Sequence, residues 1–225
     1  MKSAVKYMSK YVFLSHMLKN DTPCYNGDKN VHISSASSII NGDSTNSMSI
    51  KITNHVGTHI DFPCHFHANG KTLNDYAPGF FIFDDVAVWD IPLSSGTCIE
   101  DEVINYEYCE CNVDLLIIRT GYSSYYKQDK YWNDNPGLTL AAAKHIKAAY
   151  PKLKALGADI ISVNAYKNKS EGRLAHMELL SQPEIIIIED MYLENINGKI
   201  KKVIAAPMLV KNADGVPCTV IAEVE

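Results

Sequence analysis

The sequence predicts a mixed α/β fold, rich in strands and poor in helices. Three observations carry this reading. Residues 114–119, 158–163 and 185–188 are apolar runs that do not alternate, the pattern of strands covered on both faces. Residues 48–52 alternate apolar and polar side chains, the pattern of a strand half-buried on one face. Residues 140–150 form a helical run opened by Pro136-Gly137-Leu138-Thr139, with Thr139 as its N-cap.

Each element follows in order. Residues 11–15 read as a short strand, and residues 20–28 carry the Asn, Asp, Pro and Gly of turns. Residues 29–47 are rich in Ser and Asn and read as an exposed strand and loop. The strand at 48–52 runs directly into a histidine cluster. Asn69-Gly70-Lys71 is a turn, residues 72–79 are irregular, and residues 80–83 and 86–91 are strand-like. The strand at 114–119 ends at Gly121, and an aromatic-polar loop fills residues 122–135. A segment around Arg173–Met177 looks helical, and the run at 185–188 ends in Glu189 and Asp190. Residues 203–209 and 219–224 pair as a hairpin across Asn212-Ala213-Asp214-Gly215. No internal repeat appears, and residues 1–225 are expected to form a single domain.

Composition narrows the function. Of 225 residues, 46% are hydrophobic and 21% charged, which is the balance of a soluble protein with a sizeable core. A net charge of -5 without a basic run argues against nucleic acid or an anionic membrane as partner. No apolar run reaches the ~20 residues of a membrane span. Lysines interrupt the N-terminal segment, which has no cleavable apolar core, so a cytoplasmic location is expected. The 6 cysteines are expected to be reduced thiols. Cys109-Glu110-Cys111 lacks the second ligand pair of a zinc clip, and Cys64 reads as a small packing residue.

The chemistry gathers in residues 54–69, NHVGTHIDFPCHFHAN. His55, His59, His65 and His67 are half of the chain's 8 histidines, and Asp61 lies among them. Imidazole and carboxylate are ligands that a borderline divalent ion such as Zn or Mn prefers. In a straight strand His55 and His59 would lie roughly 13 Å apart, at about 3.3 Å per residue. That is too far for bonds of about 2 Å to one ion. The backbone must therefore bend, and Gly57, without a Cβ, is the residue that permits it. His176 and Glu189 are more distant candidates for the same site; alone, His176 reads sooner as a helix-surface residue and Glu189 as a solvated strand end. The loop containing Tyr122, Tyr125, Tyr126, Tyr131 and Trp132 could be a substrate wall or an oligomer contact, and its aromatic density favours the contact. His16, His32 and His145 read as structural.

Residues 55–65, HVGTHIDFPCH, match every fixed position of the HxGTHxDxPxH signature, and in this the chain resembles the metal-dependent cyclase superfamily, which includes bacterial kynurenine formamidases and isatin hydrolases. Leu14-Ser15-His16, DLLIIRTG, PGLT, LGADIISVNA and AHMELLSQPEIIIIED are similar to further family segments. The resemblance implies a swivelling β/β/α domain. It implies His55, His59 and Asp61 on one metal, with Asp61 bridging to a second held by His176 and Glu189 in two-metal members. In one-metal members His176 and Glu189 would position water and substrate. His65 would be the general acid/base, while His67 lies outside the signature, at the rim or behind the ligands. Asn164, where the family often has aspartate, and Cys218-Thr219, where many members carry a basic residue, are departures that bear on the substrate.

The activity so implied is metal-dependent hydrolysis of an amide, formamide or lactam. A divalent ion lowers the pKa of its water from 15.7 to about 7 and polarises the carbonyl. An arylformamidase acting on N-formylkynurenine leads. An isatin hydrolase-like enzyme, a cyclase or dehydratase, and a non-catalytic metal-dependent binding protein are the alternatives. A small-molecule substrate and a homodimer or homotetramer are expected.

Overall fold

The computed structural model describes residues 10–101, 112–194 and 196–225. Cys109 and Cys111 lie outside them. The elements in chain order are β1 (Tyr11–Phe13), β2 (Val31–Ser37), β3 (Ser47–Ile52), β4 (His59–Asp61), β5 (Ile82–Phe83), β6 (Val86–Asp90), β7 (Cys98–Ile99) and β8 (Leu115–Arg119). There follow α1 (Lys130–Asn133), β9 (Gly137–Leu138), α2 (Leu140–Ala149), β10 (Ala155–Ala158), α3 (Lys169–Leu180), β11 (Ile186–Glu189), β12 (Ile200–Pro207) and β13 (Gly215–Val224). Strands dominate, as the sequence predicts.

Nine strands form one sheet in the order β5-β12-β13-β4-β11-β10-β8-β6, with β1 added along β13. β6, β8, β10 and β11 run parallel, and β4 joins them antiparallel to β11. β12 also approaches β6, so the sheet curls toward closure. Its two faces bury separate cores. Leu116, Ile118, Leu156 and Ile187 face a core shared with Ala142, Ile146, Ala175 and Leu179 of α2 and α3. Leu115, Ile117, Ile186 and Ile188 face the inside of the curl, with Phe62, Phe83, Val203 and Val220. Burial on both faces is why these strands lack alternation. Among the described residues no helix is long and apolar enough to cross a membrane.

Several expectations need correction. The strand expected at 158–163 is β10, three residues earlier. The backbone leaves the sheet at Asp159, whose carboxylate accepts from Thr120 N, Thr120 Oγ1 and Gly121 N. Ile160, Ile161 and Val163 stay buried as loop. Pro78 opens a 3-10 turn through Phe81, which leaves a strand of only two residues, β5. β3 pairs with β2 alone and is exposed at five of six positions, not half-buried, because neither core reaches that hairpin. In the aromatic loop Tyr122 and Tyr131 are wholly buried in the helix-side core, so they offer no contact surface. Tyr126 stacks on His16 at a centroid distance of 3.9 Å. Cys24, Cys64, Cys98 and Cys218 are free thiols.

Candidate metal centre

β4 lies between β11 and β13, and its three residues are buried. Alternation along a strand turns Ile60 into the inner core and sends His59 and Asp61 to the opposite face. Register places Glu189 of β11 beside His59. α3 supplies His176 to the same face.

The bend the sequence demands is at Gly57, whose φ of 60 lies in the left-handed region that favours glycine. It returns His55 toward β4 and aims the Gly57 carbonyl at His59. His59 Nδ1 donates to that carbonyl at 2.7 Å, which commits Nε2 to the carboxylates: Asp61 Oδ1 at 3.4 Å and Glu189 Oε2 at 3.5 Å. His176 repeats the device. Its Nδ1 donates to the Gly172 carbonyl one turn back, and Nε2 lies 3.1 Å from Glu189 Oε1 and 3.7 Å from Asp61 Oδ2. His55 donates from Nδ1 to Asp61 Oδ1 at 2.7 Å and from Nε2 to Asp214 Oδ2 at 3.0 Å. Glu189 is fixed further by Ser162 Oγ and Val163 N. Thr58 donates to the Asp190 carbonyl at 2.6 Å and accepts from His16 N, which locks the loop to β11.

The donor atoms of His55, His59 and Asp61 lie within 4.8 Å of one another, as do those of Asp61, His176 and Glu189. Asp61 is common to both sets. Electrostatics give an independent test of whether the cluster suits a cation. Burial alone would depress the imidazoles, yet the hydrogen bond and charge of Asp61, with the charge of Glu189, raise His59 to about 9. His176 rises to about 10 against the same burial, through Asp61 and Glu189. Burial works to raise the Asp61 carboxyl, but bonds from His176, His55 and His59 hold it well below the usual range. The carboxylates thus draw positive charge into a buried place, and protons on the rings supply it. A divalent cation releases such protons and takes over their charge. The donor set fits the ion.

His55, His59, Asp61, His65, His176 and Glu189 line one cavity of about 300 Å³, so the structure brings together every residue the sequence proposes for the site. His65 stacks on His55 at 4.0 Å. His67 stands outside the cavity, where its Nε2 donates to the Met177 carbonyl and ties the loop to α3. Cys64 does not line the cavity either. Sequence reasoning missed Asp214, which contacts both His55 and His65, and the cavity walls Tyr25, Cys24 and Phe66. Asp214 sits in a segment that signals only a turn, and nothing local marks it as a histidine partner.

The Cyclase family model, "Putative cyclase", matches residues 12–165. A kynurenine formamidase from Bacillus thuringiensis subsp. konkukian is 28% identical over 209 residues, covering 93% of this chain and 95% of that protein. Isatin hydrolase A from Labrenzia aggregata superposes with a TM-score of 0.80 at 21% identity, covering 95% of this chain and 93% of the other. A predicted metal-dependent hydrolase from Bacillus stearothermophilus gives 0.74 at 18% identity, covering 94% and 97%. The fold is that of these structures, and the donor cluster is one that could hold a divalent ion. The chain belongs to the cyclase family.

Proposed function

We propose that this enzyme hydrolyses the carbon–nitrogen bond of a small formamide, amide or lactam, with N-formylkynurenine as the leading substrate, giving kynurenine and formate. The observation that carries the reading is the convergence of His55, His59 and Asp61 with His176 and Glu189 in one buried cavity beside His65. The formamidase named above, similar along nearly its whole length, supports it.

In this reading His55, His59 and Asp61 hold one Zn or Mn ion, and Asp61, His176 and Glu189 can hold a second. When bound, such an ion makes water a competent nucleophile near neutral pH and polarises the substrate carbonyl. The chain's own groups do the rest. Gly57 and Gly172 carbonyls fix the orientation and tautomer of His59 and His176, as partners behind a metal ligand do. Ser162 and Val163 hold Glu189 toward the cavity. His65 carries a proton to the leaving nitrogen as water adds to the carbonyl carbon and the carbon–nitrogen bond breaks. General acid–base help of this kind is worth about 10²–10⁴-fold.

One observation favours a second reading, a lactam substrate of the isatin type. The described cavity lining includes no Lys or Arg to pair with the carboxylate of an amino-acid substrate. A panel of N-formylkynurenine, isatin and simple formamides, assayed with metal-loaded protein, decides between them. Release of formate supports the first reading, and a single ring-opened product that gains water supports the second. His59→Ala should lose bound metal by elemental analysis and at least about 10²-fold in turnover. Full turnover by that variant, with no metal bound in either protein, would sink both readings.

A further inference from the structure

We infer that Asp214 is a positioning residue for His65, fixing which ring nitrogen carries the proton. This rests on the reading of His65 as the group that serves the leaving nitrogen. Asp214 Oδ2 lies 3.1 Å from His65 Nδ1. A carboxylate only accepts, so Nδ1 carries the hydrogen and Nε2 is left as the bare nitrogen of the neutral ring. Nε2 has no hydrogen-bond partner among the described residues, while the His65 side chain lines the cavity. Without Asp214 the ring would divide between two tautomers and two orientations.

The carboxylate is itself held firmly. Its Oδ1 accepts from Asn54 Nδ2 at 2.6 Å, and its backbone carbonyl accepts from Phe62 N at 2.9 Å. The next residue, Gly215, pairs with Asp61 across β13 and β4. A Cβ at Gly215 would lie 2.2 Å from His55 Cε1, so the backbone approaches His55 as closely as only glycine allows. His65 is anchored from its own side, where its N–H donates to the Phe62 carbonyl at 2.9 Å. Two segments 149 residues apart therefore meet at this hydrogen bond, beside those from Asn54, His55 and Phe62, and both are tied to the strand that presents Asp61.

The test is a double-mutant cycle on metal-loaded protein with His65→Ala, Asp214→Asn and the double variant, with metal content measured in each. Asp214→Asn should lower kcat about 10- to 100-fold with KM within about twofold. In the His65→Ala background it should lower kcat no further, which separates an effect through His65 from one through His55, whose Nε2 lies 3.0 Å from the same oxygen. Imidazole ¹⁵N shifts supply a readout independent of activity: His65 should pass from a single Nδ1–H tautomer to a mixture in Asp214→Asn. An equal loss in the His65→Ala background, unchanged ¹⁵N shifts, or loss of metal from Asp214→Asn would overturn the inference and leave the hydrolase reading standing. Full kcat in His65→Ala would overturn the role of His65 and the inference with it.

Discussion

Single residues do separable work around the cluster. Gly57 makes the turn, its carbonyl sets the His59 tautomer, and Thr58 beside it fastens the loop to Asp190. Their i, i+1, i+2 spacing explains why a short motif can encode a site whose other half lies far away. His16, a residue that reads as merely structural, packs behind this loop against Tyr126. Burial, then the charge of Lys19, lowers its imidazole to about 4. A histidine kept neutral in the folded state binds its proton more tightly when unfolded. Its contribution to stability is therefore complete above about pH 6.5 and is lost as the pH falls from there to about 4. His16→Phe, which keeps an aromatic ring on Tyr126, should flatten the stability profile in that window, measured by urea unfolding at several pH values. An unchanged slope would refute this account of His16.

At the scale of elements, short pieces in fixed register build the site. β4 has three residues, yet antiparallel pairing on both sides sets His59 and Asp61 against Glu189 and Gly215. α3 then needs only its position to deliver His176, and His67 and Lys147 tie it down at the Met177 carbonyl and at its C-terminal carbonyls. The neighbouring α2 begins as the sequence predicts, with Thr139 Oγ1 accepting from Ala142 N. Thr139→Ala should cost about 1 kcal/mol in chemical denaturation, because a helix donor loses its partner in a buried place. No change would refute this account of the cap.

Much of this was legible in the chain. Apolar runs found the parallel strands, and the motif holds four of the six candidate residues, His55, His59, Asp61 and His65, because these are local in the chain. What escaped has a common physical cause. Asp214 acquires its role only through register between β13 and β4, and Asp159 ends β10 only because Thr120 and Gly121 stand opposite it. Tyr122 and Tyr131 read as an oligomer contact because their loop is so aromatic, whereas the fold buries them and their hydroxyls bond to the Lys130 and Asp134 carbonyls and to Asp190. Tertiary partners of this kind leave no periodicity to read.

On the scale of the whole molecule, the curled sheet separates two cores and leaves the donor cluster at the place where strands from both halves of the chain adjoin. The β2–β3 hairpin stands apart from both cores and, among the described residues, packs only on a small cluster, through Val31, Ile33 and Ile52 against Cys24 and Val56. It exposes Ile39, Met48, Ile50 and, at 95%, Ile40. We propose that these side chains are covered in a homodimer or homotetramer. Light scattering should return two or four times the chain mass, and a monomer at micromolar concentration would contradict it.

The central claim, that this buried cluster is the metal-dependent hydrolytic site, is tested most directly by titrating chelator-treated protein with Zn or Mn while following hydrolysis of N-formylkynurenine and isatin. The account predicts no turnover before addition, then a rise proportional to bound metal that saturates at one or two ions per chain. Equal hydrolysis before and after metal addition, or fully loaded protein that leaves every formamide and lactam intact, would contradict it.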